Sequence, residues 1–158
     1  MRDKRFVAVH RDGPLTKHNH HILMKWAREC SEHILSLLGN TIDKRLAHAL
    51  HIAEEWENDQ VPTGDAMKAS LAAHAVAREA NDLVVTAIAR SVGQAVATAH
   101  MADHSLGAAL YALKAVKHAG KSIDKEKEWQ HNQLQQLPPE IVKLVMTTMM
   151  KKEKSFVR

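Results

Sequence analysis

Two histidines in the segment ATAHMADHSLG, residues 97 to 107, have a spacing that could do chemistry. His100 and His104 lie four positions apart, and on an α-helix this spacing places two side chains on one face, one turn apart. Such a pair can bind a zinc or iron ion, transfer protons, or hydrogen-bond between closely packed helices. A helical zinc hydrolase has a glutamate directly after its first histidine, where this chain has Met101. His100 and His104 are therefore a candidate metal pair, but the sequence favours histidines hydrogen-bonded in a tight interior.

Further polar residues would meet this pair if a neighbouring helix packed against the segment. His74 and Arg78 share one face of a predicted helix, with Glu79 beside them, and Tyr111 continues the face of the two histidines. The expected polar cluster is His74, Arg78, Glu79, His100, His104 and Tyr111. Such a cluster could be a site, because interior charges shift pKa values and perturbed groups concentrate at functional sites. It could equally fix the register of the helices, and we favour this structural interpretation.

An enzyme built on this cluster would use metal-dependent or acid/base catalysis centred on His74, Arg78, His100 and His104. The chain shows no nucleophilic triad, no phosphate-binding loop and no cysteine pair for zinc or an iron–sulfur cluster. No catalytic residue is therefore assigned, and no cofactor is expected unless the histidine pair binds zinc or iron. The sequence leans away from an enzyme without deciding the question.

The elements that must position these residues are helices. Alanine and leucine favour helix, while aromatic residues, which favour strands, make up only 4% of the chain. Apolar residues recur at intervals of three and four. This pattern predicts six helices, at about 16–38, 41–59, 64–80, 83–119, 122–137 and 139–150. The candidate N-caps are Thr16, Thr63 or Asp65, Asp82, and Ser122 or Asp124. We expect one all-α bundle over residues 1–158, with an extended lead-in at 1–15, a basic tail at 151–158, and the long Ala-rich helix 83–119 at its centre.

The charge and the cysteine content indicate in which compartment the protein lies and which partners it can bind. The net charge is +4, with the clearest basic excess at the two ends of the chain. No basic stripe runs along a helix and no aromatic platform accompanies one, so nucleic acid is not favoured as a partner. The one cysteine, Cys30, excludes an internal disulfide and fits a reducing compartment. With no signal-peptide pattern and no apolar run near the roughly 20 residues that span a bilayer, we expect a cytoplasmic protein that does not enter the membrane.

Three blocks of the sequence resemble a known family. They are VHRDGPLTKHNHHILMKWARECSEHIL, AMKASLAAHAVAREA and GQAVATAHMADHSLGAALYALKAV, between residues 9 and 117. They are similar to a family of small helical bacterial proteins described as immunity proteins with an immunity protein 5-like domain. The resemblance implies an all-α protein that binds and neutralises a cognate toxin, and it implies no catalytic residues. Because inhibitors of nucleases are often acidic and this chain is basic, the expected toxin is not a strongly basic nuclease. The sequence leaves open whether the protein forms a homodimer.

Overall fold

The computed structural model describes residues 3–156, and side chains over residues 3–153. Within that range the chain forms seven α-helices: α1 Lys17–His33, α2 Lys44–Glu57, α3 Thr63–Glu79, α4 Leu83–Ala97, α5 His104–His118, α6 Ile123–Leu134 and α7 Pro139–Phe156. Short 3-10 turns occupy Lys4–Phe6, Val9–Arg11 and Leu35–Leu38. The described residues form no strand, only an isolated parallel bridge between Ala8 and Leu15. The prediction of an all-α bundle is confirmed.

Several helix starts are set by local side-chain caps. The Thr16 side chain accepts a hydrogen bond from the Asn19 backbone N–H, and Ser122 does the same for Lys125. Asp82 accepts from the backbone of Val84 and starts α4 in the same way. These three caps agree with the sequence prediction. The caps predicted for the third helix are wrong, because α3 begins at Thr63, after Pro62, with no side-chain cap.

The predicted central helix over residues 83–119 is wrong, because the chain breaks it into α4 and α5. One helix of that length would be about 55 Å long, at about 1.5 Å per residue. A compact chain of this size has a radius of gyration of only about 15 Å. Folding back at residues 98–103 lets both halves bury their alanine-rich faces, and α4 and α5 form the most extensive helix contact in the bundle. The turn is fixed from outside by His20, whose Nε2 lies 2.5 Å from the carbonyl oxygen of Thr98.

The two ends of the chain also differ from their predicted forms. The lead-in is coiled into its 3-10 turns rather than extended, and it buries Phe6 and Leu15 against the helices. The predicted basic tail at 151–158 is helical as far as Phe156, because α7 continues past Met150. Residues 1–2 and 157–158 lie outside the described part of the chain.

The core divides into two main clusters that share the α4–α5 hairpin. One lies mainly among α2, α3 and α4, and the other joins the lead-in and α1 to α5, α6 and α7. Buried polar groups connect the helices: the Ser91 hydroxyl donates to the Ala108 carbonyl at 2.8 Å and lies 2.8 Å from the Ser31 hydroxyl. Among the residues described, none of the helices is both long enough and apolar enough to cross a membrane.

Candidate functional site

A polar row, made of the side chains of His74, Arg90, Gln94, His104 and His100, crosses the outer surface of α3, α4 and α5. Its first member is His74 of α3, whose ring lies directly over Gly93 of α4. A Cβ on Gly93 would fall 2.6 Å from Nε2 of that ring, so only glycine allows this close approach. The Ser70 hydroxyl donates to the Gly93 carbonyl at 2.9 Å and holds the two helices at this distance.

His74 is bound to Arg90 of α4. The two side chains approach at 2.7 Å, between Nη1 of the arginine and Nδ1 of the histidine. Because a guanidinium can only donate, Nδ1 is the acceptor and the neutral ring carries its proton on Nε2. Burial lowers the pKa of His74, and the nearby charges of Arg90, Arg78 and His104 lower it further. The ring is therefore a neutral hydrogen-bond acceptor beside two arginines.

The second half of the row joins α4 to the start of α5. Nδ1 of His104 lies 2.7 Å from Oε1 of Gln94, and because an amide oxygen accepts, His104 donates from Nδ1. The Gln94 side chain in turn covers Gly107, where an added Cβ would lie 2.7 Å from Oε1. His100 lies in the turn between the helices, with its ring centroid 5.3 Å from that of His104. Because α4 ends at Ala97, the two histidines do not share a continuous helix face.

The predicted cluster is only partly brought together. His74, Arg78 and His104 interact electrostatically, and His100 adjoins His104. Glu79 points elsewhere, because both of its carboxylate oxygens accept from Arg45 of α2, and this contact lowers the pKa of Glu79. Tyr111 lies further along α5, with the Lys114 ammonium 5.9 Å from its ring centroid.

Two residues of the row, Arg90 and Gln94, are absent from the sequence prediction. They are the only long polar side chains in the otherwise apolar or small segment LVVTAIARSVGQAVA. That isolation is the signal that could have identified them. Their spacing of four places both on the outer face of α4, where they reach α3 on one side and α5 on the other.

The candidate metal pair predicted from the sequence is His100 and His104. Among the described side chains, no group of three or more His, Cys, Asp or Glu residues is arranged to hold an ion. His100 and His104 would supply two nitrogen ligands at most, fewer than the three or four of protein zinc sites.

Cys30 is fully buried, and this burial raises the pKa of its thiol.

Two cavities lie away from the row, each beside a tryptophan. One, of about 420 Å³, is lined by residues including His20, His21 and Trp56. The other, also about 420 Å³, lies beside Trp129, whose ring stacks on that of His33 at 3.6 Å. His33 Nδ1 also lies 2.7 Å from a carboxylate oxygen of Glu126.

The outer surface beside the row carries unusual exposed apolar groups. Among the described side chains six large apolar ones are exposed, and three of them lie on α3 and α4: Met67, Leu71 and Leu83. Leu71 is the most exposed of these three, at 69%. Arg78 is also exposed and shares the outward face of α3 with Met67, Leu71 and His74. We call Met67, Leu71, His74, Arg78, Leu83 and Arg90 the α3–α4 face.

A family model described as "Imm-5 like putative immunity protein" matches residues 13–137. The matched segment takes in α1 to α6, and therefore both the polar row and the α3–α4 face. No curated protein and no solved structure matches the chain. The match covers well over half of the 158 residues and confirms the resemblance carried by the three sequence blocks. The chain therefore belongs to the Imm-5 like immunity protein family.

Proposed function

We propose that the protein neutralises a cognate protein toxin in the bacterial cytoplasm by binding it directly. The observation that carries this proposal is the exposure of Leu71 and Met67 one turn apart on α3, at 69% and 46%. Single exposed apolar residues are common, but large ones stacked on one helix face are typical of protein-binding surfaces. Family membership supports an immunity role in general, and binding is the mode that such a surface favours.

The polar row has a structural role in this proposal. Its two hydrogen-bonded pairs, His74 with Arg90 and His104 with Gln94, each join adjacent helices. Such bonds satisfy partly buried polar groups and fix how the helices sit against one another. We infer that His74 and His104 position α3, α4 and α5 rather than act on a substrate.

Metal analysis of protein purified without an affinity tag tests this structural role. We expect no stoichiometric zinc or iron. About one equivalent of either metal, lost on changing His100 and His104 to alanine while the helical content is unchanged, would contradict the structural interpretation and favour the metal-dependent enzyme.

Co-expression tests the proposed function itself. Each product of a neighbouring gene that stops bacterial growth when it is expressed alone is expressed together with this chain, and growth is followed. We expect growth to be restored, and the purified proteins to elute together in size-exclusion chromatography, which also reports whether the free chain is a homodimer. Protection without a complex would show that the chain acts on the toxin's target or product instead of on the toxin. No protection would refute the immunity function for this pair.

A further inference from the structure

We propose that the α3–α4 face is the surface that docks the toxin, and that the toxin meets it with an apolar patch surrounded by carboxylates. This inference rests on the proposed function and names the partner's surface chemistry. Three features carry it: the position of the apolar residues, the sign of the surrounding charge, and the rigidity of the cationic groups.

The apolar part of the face consists of Met67 and Leu71 on α3 and Leu83 at the start of α4. Met67 and Leu71 are one helical turn apart, and His74 and Arg78 continue the same side of the helix. At the end of the hairpin where α3 leads into α4, Leu83 adds a third exposed apolar side chain, 65% exposed. A partner that covered Leu71 would remove most of that side chain from water, which is typical of an apolar anchor in a protein interface.

The two charged residues of the α3–α4 face, Arg78 and Arg90, are both cations. Neither α4 nor α5 contains an aspartate or a glutamate, and Arg90 lies on α4. Arg78 adds a further exposed cation on α3. This surface is complementary to an acidic one.

The carboxylates at its borders are already bound. Glu79 accepts two hydrogen bonds from Arg45, at 2.8 and 3.1 Å. Asp82 accepts from the first backbone N–H groups of α4, at 2.7 Å from Val84. Both side chains are therefore oriented by contacts within the protein, and their charge is partly balanced there. Arg90, whose guanidinium donates to the neutral ring of His74 instead of to either carboxylate, keeps its charge available to a partner.

Arg90 is held in place before any partner arrives. Its guanidinium donates to His74, and that ring is itself fixed against Gly93. A cation whose side chain is already ordered loses less conformational entropy on binding a carboxylate. The polar row therefore supports the docking surface by fixing one of its charges.

Matched substitutions on the α3–α4 face and on α7 test the inference. The probe is the toxin identified by co-expression, carrying a substitution that abolishes its toxicity, and its dissociation constant is measured by isothermal titration calorimetry. Leu71→Asp and Arg78→Glu perturb the face. Their controls are Met150→Asp and Lys143→Glu, on α7, because Met150 is also 69% exposed and Lys143 is also exposed. Circular dichroism confirms that each variant is folded.

We expect Leu71→Asp and Arg78→Glu each to weaken binding by about tenfold or more, and the α7 controls to change it by less than about twofold. Wild-type affinity is expected to fall as the salt concentration is raised from about 50 to about 500 mM. A complex that tolerates both face substitutions would overturn the docking surface while leaving the proposed function intact. A complex insensitive to salt and to Arg78→Glu would overturn the acidic partner. If no complex forms, the proposed function fails, and the inference fails with it.

Discussion

The contact between His74 and Gly93 gives the sharpest stability prediction. An alanine at position 93 would place its Cβ 2.6, 2.8 and 2.9 Å from three atoms of the His74 ring. These distances are too short for carbon contacts, so the ring or the helix must move. The ring cannot move freely, because Arg90 holds its Nδ1 and the hydrogen bond from Ser70 to Gly93 holds the helices together.

The expected magnitude for Gly93→Ala follows from two opposing effects. Replacing glycine by alanine inside a helix stabilises by about 1 kcal/mol where there is space. Overpacking costs about 1–3 kcal/mol, and loss of a hydrogen bond to a charged group costs about 1.5–3 kcal/mol. The two costs together exceed the gain in helix propensity, so we expect Gly93→Ala to lower the free energy of unfolding by about 1.5–5 kcal/mol. For a chain of this size, that corresponds to a fall in Tm of about 3–20 °C.

The assay is urea and thermal unfolding followed by circular dichroism, in a double-mutant cycle with His74→Ala. Once the ring is removed, Gly93→Ala should become stabilising, because only the gain in helix propensity remains. Gly64→Ala is the matched control, since a Cβ on Gly64, in the first turn of α3, meets nothing within 4 Å. If Gly93→Ala stabilised the wild-type protein as Gly64→Ala does, the ring would not be fixed and the reasoning would be wrong.

The remaining predictions concern buried bonds, caps and pH. Ser91→Ala should lower the free energy of unfolding by about 1–3 kcal/mol, because it leaves the Ala108 carbonyl and the Ser31 hydroxyl without this partner. Ser31→Ala keeps the bond to Ala108 and should cost less in the same urea titration. Asp82→Ala should cost about 1 kcal/mol by removing the α4 cap, while Asp82→Asn should cost little, and equal losses would argue against the cap. The pKa of His74 in the folded protein lies below its ordinary value of 6.5, so its stabilising contribution is present above that pH and is lost as the pH falls. The free energy of unfolding should therefore drop less steeply below about pH 6.5 in His74→Gln than in wild type, and parallel profiles would contradict the assignment.

The parts of the fold that could be predicted from the sequence are those determined by residues close together in the chain. Thr16, Asp82 and Ser122 cap helices through atoms within three residues of themselves, and these starts were predictable. The break between α4 and α5 was not predictable in this way. The segment TAHMAD contains neither glycine nor proline, so local propensity continues the helix. The turn depends on His20, 78 residues away in sequence, and on packing of the two halves against each other.

In the candidate site too, the features set by spacing along one helix could be predicted, and those set by packing between helices could not. The face shared by His74 and Arg78 follows from helical spacing alone. The pairing of His74 with Arg90 depends on the register of two helices, which a single sequence does not specify. The sequence places Glu79 in the cluster because it lies beside Arg78, but the competing Arg45 lies on a helix whose orientation a single sequence does not specify. The role of these residues as a functional site stays a prediction.

The buried lead-in, residues 3–15, shows that the core of this chain extends beyond the residues that the family model matches. The family match covers residues 13–137, yet Phe6 lies in the same core cluster as Leu23 and Trp26 and is fully buried. Val145 of α7, beyond the other end of the match, is fully buried in that cluster too. A fragment limited to the matched residues would expose the inner faces of α1 and α5 to water. This part of the fragment would then unfold less cooperatively than in the whole chain. The segment that identifies the family is therefore smaller than the segment that folds as one body.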